Sequence, residues 1–446
     1  MPSQSKAHLR RFNVLLPLNS WLLRGMSGIL EVVAALYTSL DMRFSSPVLN
    51  DLDRRGFLYQ ITDPQALDEL FCRGEEIVFY VGFDPTAKSL HIGHLLWIRL
   101  IRKLQAVGAR PIVIVGGATS KIGDPTWKDK ERVMLDYAVV TENVRSITEK
   151  LRRLVKFDEG KHSAILLNND DWLSKLNYLE FLRDFGSLFS VNKMLTMDSV
   201  SRRLERQQHL SFLEFNYMLL QAYDFLYLFE NHNCKIQIGG ADQWSNMISG
   251  VDLIRRKTGQ VAVGMSMPLL TNAEGKKMGK TEKGSVWMDE RLMSPFDFWQ
   301  YWRNVDDRDV TTLMKLFTDL EVDEIERYEA LVGRKEMNDA KGRLADEITS
   351  FVHPHADLDV IHKTAAGLFG EGGDLGDVKT FDLPAGTRID RALVLTGLAS
   401  SQTAARRLID GRGVKIDGQT VETYDVLLIG EALISVGKKK FVLVKA

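Results

Sequence analysis

The stretch FYVGFDPTAKSLHIGHLLWIRL, residues 79–100, decides the fold. It begins with an apolar run typical of a buried strand and ends with an apolar run of helical period. Two histidines, His91 and His94, flank Ile92-Gly93 at the junction. Spaced i and i+3, they share one face of the first helical turn, where unpaired backbone amides and the helix dipole attract anions. The junction therefore indicates an anion site, with two histidines that merely cap a helix as the alternative.

Strand and helix patterns alternate along the next part of the chain. Further strands are predicted in RPIVIVGG, SAILLNN and CKIQIGG, and helices in TENVRSITEKLRRLVKF, SFLEFNYMLLQAYDFLYLFE and WSNMISGVDLIRRKTG. Apolar strands separated by helices of this length indicate βαβ units. We predict an α/β fold with a Rossmann-like, doubly wound parallel sheet, in which ligands bind beyond the carboxyl ends of the strands.

Shifts in pattern and composition divide the chain into five segments. From about residue 295 the pattern becomes mainly helical, and a stretch rich in Gly and Asp follows. The tail carries ten basic and six acidic side chains, whereas the whole chain has a net charge of −1. We predict an amino-terminal extension (1–42), a Rossmann-like domain (43–295), an α-helical domain (296–370), a linker (371–387) and a small α+β domain (388–446).

Composition limits the class of protein. The 446 residues are 45% hydrophobic and 26% charged, which is ordinary for a globular chain of two or three domains. The two cysteines, Cys72 and Cys234, lie far apart and give no zinc-site spacing, so no protein-bound metal is predicted. No apolar run is long enough and free enough of charge to span a membrane.

The first forty residues differ from the rest, because four basic side chains precede the first acidic one, Glu31. This pattern is typical of an organellar transit peptide. The alternative, which we favour, is a non-native extension with an internal start at Met42. We expect a cytoplasmic protein, or one of an organellar matrix if residues 1–41 are a real transit peptide.

A second constellation lies in EGKKMGKT, residues 274–281. Lys277 and Lys280 bracket Met278-Gly279 in a loop-like stretch. Two ammonium groups on such a loop suit a leaving group that gains negative charge, such as pyrophosphate. A solvated basic turn is the alternative.

Read together, these motifs resemble the class I aminoacyl-tRNA synthetases. HIGH is intact, and KMGKT stands where that class has its KMSKS loop, with Gly279 in place of the serine and Thr281 at the last position. Within the class, YVGFDPTAKSLHIGHL, GGATSKIGDP, FLEFNYMLLQAYDF, QIGGADQW and KKMGKT resemble the bacterial-type tyrosyl-tRNA synthetases. The resemblance runs from about residue 45 to the end, and five ordered motifs are far more specific than one.

Tyr217, Gln221 and Asp224 form a polar stripe, at i, i+4 and i+7, on a mostly apolar helix. A stripe facing water is one interpretation. If the helix is buried, however, these groups need polar partners, and an amino acid with a phenol and an ammonium group supplies them. The resemblance implies that Tyr80 and Asp224 bind the phenol of L-tyrosine. It also implies that Tyr217, Gln221 and Asp124 hold the α-ammonium group, although Asp124 is equally suited to capping a turn.

The resemblance also implies the roles on the ATP side. The expected catalytic residues are Thr86, His91, His94, Lys277, Lys280 and Thr281, together with Lys128 and Arg132, which are equally compatible with an exposed loop. The expected ATP-binding residues are Asp84, Gly93, Gly239, Gly240, Asp242, Gln243 and Lys280. A plain strand-to-helix turn is the alternative for GGADQW, and the family's usual serine is Ala241 here.

The implied reaction joins L-tyrosine to tRNA(Tyr) through tyrosyl-adenylate. The implied cofactor is Mg²⁺ carried with the triphosphate of ATP, and a homodimer is expected. In the tail, which resembles a small ribosomal RNA-binding module, phosphate contacts are expected from Arg406, Arg407, Arg412 and Lys415, with a merely solvated helix as the alternative. Two other hypotheses are a HIGH-fold nucleotidylyl transferase without a tRNA substrate and a catalytically silent RNA-binding relative.

Overall fold

The computed structural model describes residues 44–126, 136–157, 160–281, 284–369, 380–437 and 440–446. The amino-terminal extension, Lys128 and Arg132 lie outside these ranges. The strands are β1 (Gln60–Ile61), β2 (Val78–Phe83), β3 (Arg110–Val115), β4 (Ile165–Asn168), β5 (Ile236–Gly240), β6 (Val263–Met267), β7 (Lys280–Thr281), β8 (Gly284–Ser285), β9 (Thr380–Asp382), β10 (Thr387–Arg388), β11 (Val414–Ile416), β12 (Gln419–Thr420), β13 (Leu427–Leu428), β14 (Glu431–Val436) and β15 (Lys440–Lys445).

The α-helices follow the strands in the predicted alternation. They are α1 (Pro47–Arg55), α2 (Pro64–Cys72), α3 (Ile92–Ala106), α4 (Thr119–Ile122), α5 (Tyr137–Leu154), α6 (Asp170–Leu173), α7 (Tyr178–Asp184), α8 (Val191–Leu195), α9 (Asp198–Glu205), α10 (Phe212–His232), α11 (Trp244–Thr258), α12 (Pro295–Arg303), α13 (Val310–Phe317), α14 (Val322–Glu326), α15 (Met337–Val352), α16 (Leu358–Phe369), α17 (Ile389–Leu395) and α18 (Gln402–Asp410). None of the helices in the described part of the chain combines the length and apolar character that a membrane span needs.

The main sheet confirms the predicted fold. Its order is β1-β6-β5-β2-β3-β4, and every pair in it is parallel except β1 with β6. From β2 the chain winds outward through β3 and β4, then returns to place β5 on the other side of β2. The strand order therefore reverses between β2 and β5, and in doubly wound sheets such a reversal opens a crevice for ligands.

The sequences of β2 and β3 are nearly continuous apolar runs because helices bury both faces of these strands. Val113 and Val115 of β3 pack into one core with Ile98 and Ile101 of α3, and these side chains are 2% exposed or less. Ile112 and Ile114 point to the opposite face, where Phe225 of α10 covers them. Both faces of a parallel sheet are covered by helices, so its strands lose the polar alternation of a solvated sheet. Each fully buried large apolar side chain stabilises the fold by about 1.5–3 kcal/mol.

The helical segment α12–α16 shares the core of the sheet. Phe298, Trp302 and Phe317 are fully buried in the same apolar cluster as α3. Arg99 of α3 also lies 4.4 Å from the centre of the Phe351 ring and 2.7 Å from a carboxylate oxygen of Asp319. The helical segment is thereby packed directly against the helix that carries HIGH.

The carboxy-terminal part forms a second sheet, ordered β12-β11-β14-β15-β9, with its own core of buried residues between Ile389 and Val444. The strand β9 pairs in parallel with β15, through Leu443 and Thr380. Residues 380–382 fall within the stretch that the sequence assigns to a linker, and here the structure differs. Gly and Asp nearby suggest a loop, but Phe381 packs against the core of this sheet.

Candidate active site

The predicted phenol-binding residue Asp224 is buried on α10, and its carboxylate accepts two hydrogen bonds from residues that follow β4. The donors are Asn169 Nδ2 at 2.9 Å and Trp172 Nε1 at 2.7 Å. Asp224 is only 4% exposed, and burial raises its pKa to about 7, although both hydrogen bonds act in the opposite direction. The carboxylate is thus held in a fixed orientation in a place where charge is costly.

Tyr80 of β2 lies beside Asp224 with an unsatisfied hydroxyl. Among the described residues this buried hydroxyl has no hydrogen-bond partner. Burial first, and then the charge of Asp224, raises the pKa of Tyr80 well above its ordinary value. An unpaired buried polar group costs about 1–3 kcal/mol, so the pair of side chains is suited to a ligand hydroxyl that bonds to both.

Hydrogen bonds connect Asp224 to the other end of the same pocket. Asn169 Nδ2 also donates to Thr119 Oγ1 at 3.0 Å, and Thr119 Oγ1 donates to Asp84 Oδ1 at 3.4 Å. The hydroxyl of Tyr217 donates to Asp84 Oδ2 at 3.3 Å. The sequence places Asp84 on the ATP side, whereas the structure places its carboxylate next to Tyr217, a residue predicted to hold the ammonium group.

The stripe on α10 faces the protein interior. Tyr217 and Asp224 are 4% exposed and Gln221 is partly buried, which favours the buried interpretation over a solvated stripe. The N-cap of this helix is Ser211, which forms a capping box with Glu214, and its C-cap is Asn233 in the left-handed conformation. Both ends are thus defined by local sequence.

Asp124 has the turn-capping role that the sequence offers as one alternative, and its second carboxylate oxygen bonds to another segment of the site. Its Oδ1 accepts from the backbone amide of Thr126 at 2.9 Å, which is the turn-capping role, and its Oδ2 accepts from Gln243 Nε2 at 2.6 Å. Through Gln243 it joins the GGATSKIGDP segment to the GGADQW segment. Asp242 lies close enough for the charge of Asp124 to raise its pKa, after the larger effect of burial.

At the HIGH motif, the histidines cap the helix and also present donors. His91 Nδ1 accepts from the amide of Gly93 and His94 Nδ1 accepts from the amide of His91, both at 3.1 Å. Because each Nδ1 is an acceptor, the neutral rings carry their proton on Nε2. Burial, followed by the neighbouring His91, lowers the pKa of His94 to about 3, so this ring is neutral at physiological pH.

Gly93 and Gly279 allow close approaches at this turn. A Cβ on Gly93 would lie 2.8 Å from Cε1 of His91, so the imidazole folds against the helix start only because Gly93 has no side chain. The φ of Gly279 is +99°, and a Cβ there would lie 3.5 Å from the Gly93 nitrogen and 3.7 Å from His91 Nδ1. Residues 274–281, which we call the lysine loop, therefore lie directly against the HIGH turn.

Backbone pairing fixes the stem of the lysine loop. The amide of Ile92 donates to Val286 O at 3.1 Å, and the amide of Met288 donates to Leu90 O at 3.0 Å. The strands β7 and β8 form a hairpin at the tip. Lys277 is exposed, and its charge lowers the pKa of Asp242 against the stronger effect of burial. The side chains of Lys280 and Thr281 lie outside what the structure describes.

Gly239 and Gly240 end β5, as predicted, and leave room for Asp242. A Cβ on Gly240 would lie 2.3 Å from Asp242 Oδ1, and one on Gly239 would lie 3.1 Å from Gln243 Cβ. The turn therefore requires a residue without a side chain at Gly240. Thr86 is exposed in the loop before HIGH.

Two of the predicted RNA-contacting residues are engaged within the carboxy-terminal part. Arg406 Nε lies 3.0 Å from the buried carboxylate of Asp390, and Arg412 lies 3.5 Å from Glu422. Arg407 and Lys415 are exposed. Sequence reasoning did not assign Asn169, Trp172 or Thr119 to the site. Only the position of Asn169 at a strand end pointed there, because hydrogen-bond partners on another element leave no local pattern.

Comparison with known protein families identifies the class of protein to which this fold and this site belong. The profile of tRNA synthetases class I (W and Y) matches residues 73–370, and the S4 domain profile matches residues 387–431. The chain belongs to this class I tRNA synthetase family.

Similar proteins narrow the assignment within the family. The tyrosine–tRNA ligase of Rickettsia conorii is 46% identical over 416 residues, covering 91% of this chain and all of the relative. The tyrosine–tRNA ligase of Novosphingobium aromaticivorans is 47% identical, covering 89% of this chain and 98% of the relative. A crystal structure of a C-terminally truncated mitochondrial tyrosyl-tRNA synthetase from Aspergillus nidulans is 28% identical. It superposes with a TM-score of 0.64, covering 77% of this chain and 100% of that one. Within its family, the chain is a bacterial-type tyrosine–tRNA ligase.

Proposed function

We propose that this pocket activates L-tyrosine with ATP and that the same enzyme then transfers the tyrosyl group to tRNA(Tyr). The observation that carries the proposal is the pair of Tyr80 and Asp224 at the closed end of the pocket. Asp224 is oriented by Asn169 and Trp172, and the Tyr80 hydroxyl has no partner among the described residues. A phenol satisfies both groups, and a plain benzyl group satisfies neither.

We assign the α-ammonium group of tyrosine to the polar end of the pocket, near Tyr217, Gln221 and Asp124. Asp84, which accepts from Tyr217, adds a second carboxylate there. Two carboxylates suit one ammonium group better than an uncharged site would. This placement directs the carboxylate of tyrosine towards the HIGH turn.

In the first step the tyrosine carboxylate attacks the α-phosphorus of ATP and pyrophosphate leaves. The carboxylate is ionised at neutral pH, so the step needs no general base. The Nε2–H groups of His91 and His94 and the ammonium groups of Lys277 and Lys280 stabilise the charge that develops on the phosphates, with Thr86 beside them. We also propose that Thr281, Lys128 and Arg132 are catalytic residues, as the resemblance to the family implies.

Asp242 and Gln243 hold the ribose of ATP over Gly239 and Gly240, with Gly93 beneath the nucleotide. Mg²⁺ would be carried with the triphosphate of ATP, and it would supply positive charge that neutralises the leaving pyrophosphate.

The proposal also covers the domains of the chain, its oligomeric state and its location. We propose the predicted domain limits, 43–295 for catalysis, 296–370 for the anticodon region and 388–446 for RNA contacts through Arg406, Arg407, Arg412 and Lys415. Residues 380–382 of the predicted linker, 371–387, join the last domain, because β9 pairs with β15. A homodimer is supported by exposed apolar side chains around the start of α10 and on α7, including Phe212 at 68% and Leu179 at 73% exposure. A monomeric mass in solution would contradict the dimer.

The proposed location is the cytoplasm. Mass spectrometry of the amino terminus of the protein from its native source tests this location.

The test of the activation step is ATP–pyrophosphate exchange. Exchange that depends on tyrosine supports it. Exchange that depends on another acid would indicate a different HIGH-fold nucleotidylyl transferase. If no amino acid supports exchange, the protein would be a catalytically silent relative.

Replacement Gly240→Ala is expected to weaken ATP binding without affecting tyrosine. The new Cβ would displace Asp242, whose Oδ1 would lie 2.3 Å away. Losing a charge-assisted hydrogen bond costs about 1.5–3 kcal/mol, so KM for ATP should rise by roughly 10- to 150-fold. Steady-state exchange kinetics with each substrate varied check this, and an unchanged KM for ATP would remove Asp242 from the ribose site.

The affinity for tyrosine should rise from about pH 6 to about pH 8, since burial raises the pKa of Asp224 to about 7. Below that pH the group is protonated, and a neutral carboxyl group accepts a weaker hydrogen bond from the phenol than a carboxylate does, so binding weakens by up to about tenfold per pH unit. Equilibrium titration across this range measures the slope. Phenylalanine binding, and tyrosine binding to Asp224→Asn, should lack it.

A further inference from the structure

One face of α5 touches the backbone of the segment that precedes HIGH. Asn143 Nδ2 donates to Pro85 O at 3.0 Å, and Ser146 Oγ donates to Lys88 O at 2.6 Å. These two carbonyls lie on either side of Thr86, so the helix fixes the loop that leads into His91. Asn143 is 2% exposed, which makes this contact an interior one.

One turn further along α5, Lys150 reaches the other side of the site. Its Nζ lies 3.0 Å from Asp289 Oδ2, and the two side chains are only 9% and 3% exposed. Asp289 comes directly after the stem residues Val286 and Met288, which pair with the HIGH turn. The residues 143, 146 and 150 are spaced i, i+3 and i+7 and therefore share one face of the helix.

Charge balance alone does not explain the buried lysine. Asp289 already accepts from Arg291 through Nε at 3.0 Å and through a terminal nitrogen at 2.8 Å. Desolvating a second cation costs several kcal/mol, and its attraction to the carboxylate offsets only part of that cost. What Lys150 adds is geometric, because it ties the stem of the lysine loop to the same helix that holds residues 85–88.

We propose that Asn143, Ser146 and Lys150 are positioning residues through which α5 sets the spacing between the HIGH turn and the lysine loop for adenylate formation. The inference rests on the proposed function. It predicts that loosening Lys150 affects the chemical step and leaves the tyrosine pocket, which is built on β2, α6 and α10, unaffected.

The test compares Lys150→Met with Arg145→Met, a matched loss of a cation at an exposed position of the same helix. In Lys150→Met, kcat for tyrosine-dependent exchange should fall roughly tenfold, with KM for tyrosine within about twofold of the parent. Lys150→Arg should recover most of the loss, and Arg145→Met should behave like the parent. Asp289 keeps Arg291 in all variants, so the fold has a counter-charge throughout.

Hydrogen exchange gives a readout besides activity. The amides of Ile92, Val286 and Met288 should exchange faster in Lys150→Met, while those of α10 remain protected. Uniformly faster exchange, or parallel changes in kcat and KM for tyrosine, would make the role merely structural and overturn the inference. If Lys150→Met does not fold, Ser146→Ala takes its place, with a smaller fall in kcat expected and an unchanged kcat overturning the inference. If the unsubstituted enzyme shows no tyrosine-dependent exchange, the proposed function itself is overturned. If that enzyme is active and Lys150→Met has the same kcat, only this inference is overturned.

Discussion

Replacement Asp224→Ala is expected to abolish most of the preference for tyrosine over phenylalanine. In the parent, phenylalanine leaves the buried Asp224 carboxylate and Tyr80 hydroxyl without a ligand partner, which penalises it. In the variant that penalty disappears while tyrosine loses its acceptor, so the ratio of kcat/KM values falls from both sides. Characterised tyrosyl-tRNA synthetases are themselves the standard example of such rejection, at about 10⁵, and the loss should be a large part of that factor.

The measurement is exchange with each amino acid varied separately. Tyr80→Phe provides a milder companion, because it removes one hydroxyl and keeps the ring that packs 5.3 Å from Phe225. Asn169 and Trp172 lose their acceptor in Asp224→Ala, so a melting curve separates discrimination from stability. If both variants reject phenylalanine as well as the parent does, this end of the pocket does not bind the phenol.

Replacement His91→Asn is expected to lower kcat for adenylate formation by about 10²–10³ with little change in KM for tyrosine. Asparagine retains an acceptor for the Gly93 amide and is a good N-cap, but it lacks the Nε2–H donor. The substitution therefore separates the two roles that the structure gives this residue. Single-turnover formation of the adenylate measures the chemical step directly.

His91→Ala is the matched comparison. It loses the donor and the cap together, so it should show a similar fall in kcat and, in addition, a loss of about 1 kcal/mol in the free energy of unfolding. If His91→Asn were as active as the parent, the histidine would be a cap only, which is the plainer alternative that the sequence leaves open.

The sequence predicted the parts of the fold that local pattern determines. Helices α3, α10 and α11 and strands β2 to β5 agree with the predicted segments to within a few residues, since the helices have N-cap or C-cap residues at their ends and the strands are short apolar runs between polar residues or glycines. The placement of His91, Gly93 and Gly240 was predictable for the same reason, because a turn imposes its own residue types.

Other features depend on neighbours that the sequence does not reveal. The strand β9 joins a sheet whose other members follow it along the chain, and its short stretch beside glycines resembles a loop. Thr119, Asn169 and Trp172 are ordinary residues until α10 packs over them. The carboxylate of Asp84 fits beside Tyr217 and Thr119 because Gly116 has no side chain, and a Cβ there would lie 2.4 Å from Asp84 Oδ1.

The reversal of strand order has a consequence for synthesis on the ribosome. Phe79 of β2 pairs with Ile236 of β5, far along the chain, and the lysine loop follows later still. A nascent chain that has emerged only through residue 230 contains Tyr80, both histidines and Asp224 but lacks the strand that completes the crevice. We expect such a fragment to bind neither substrate, so the enzyme gains its affinity late and in a single event during translation.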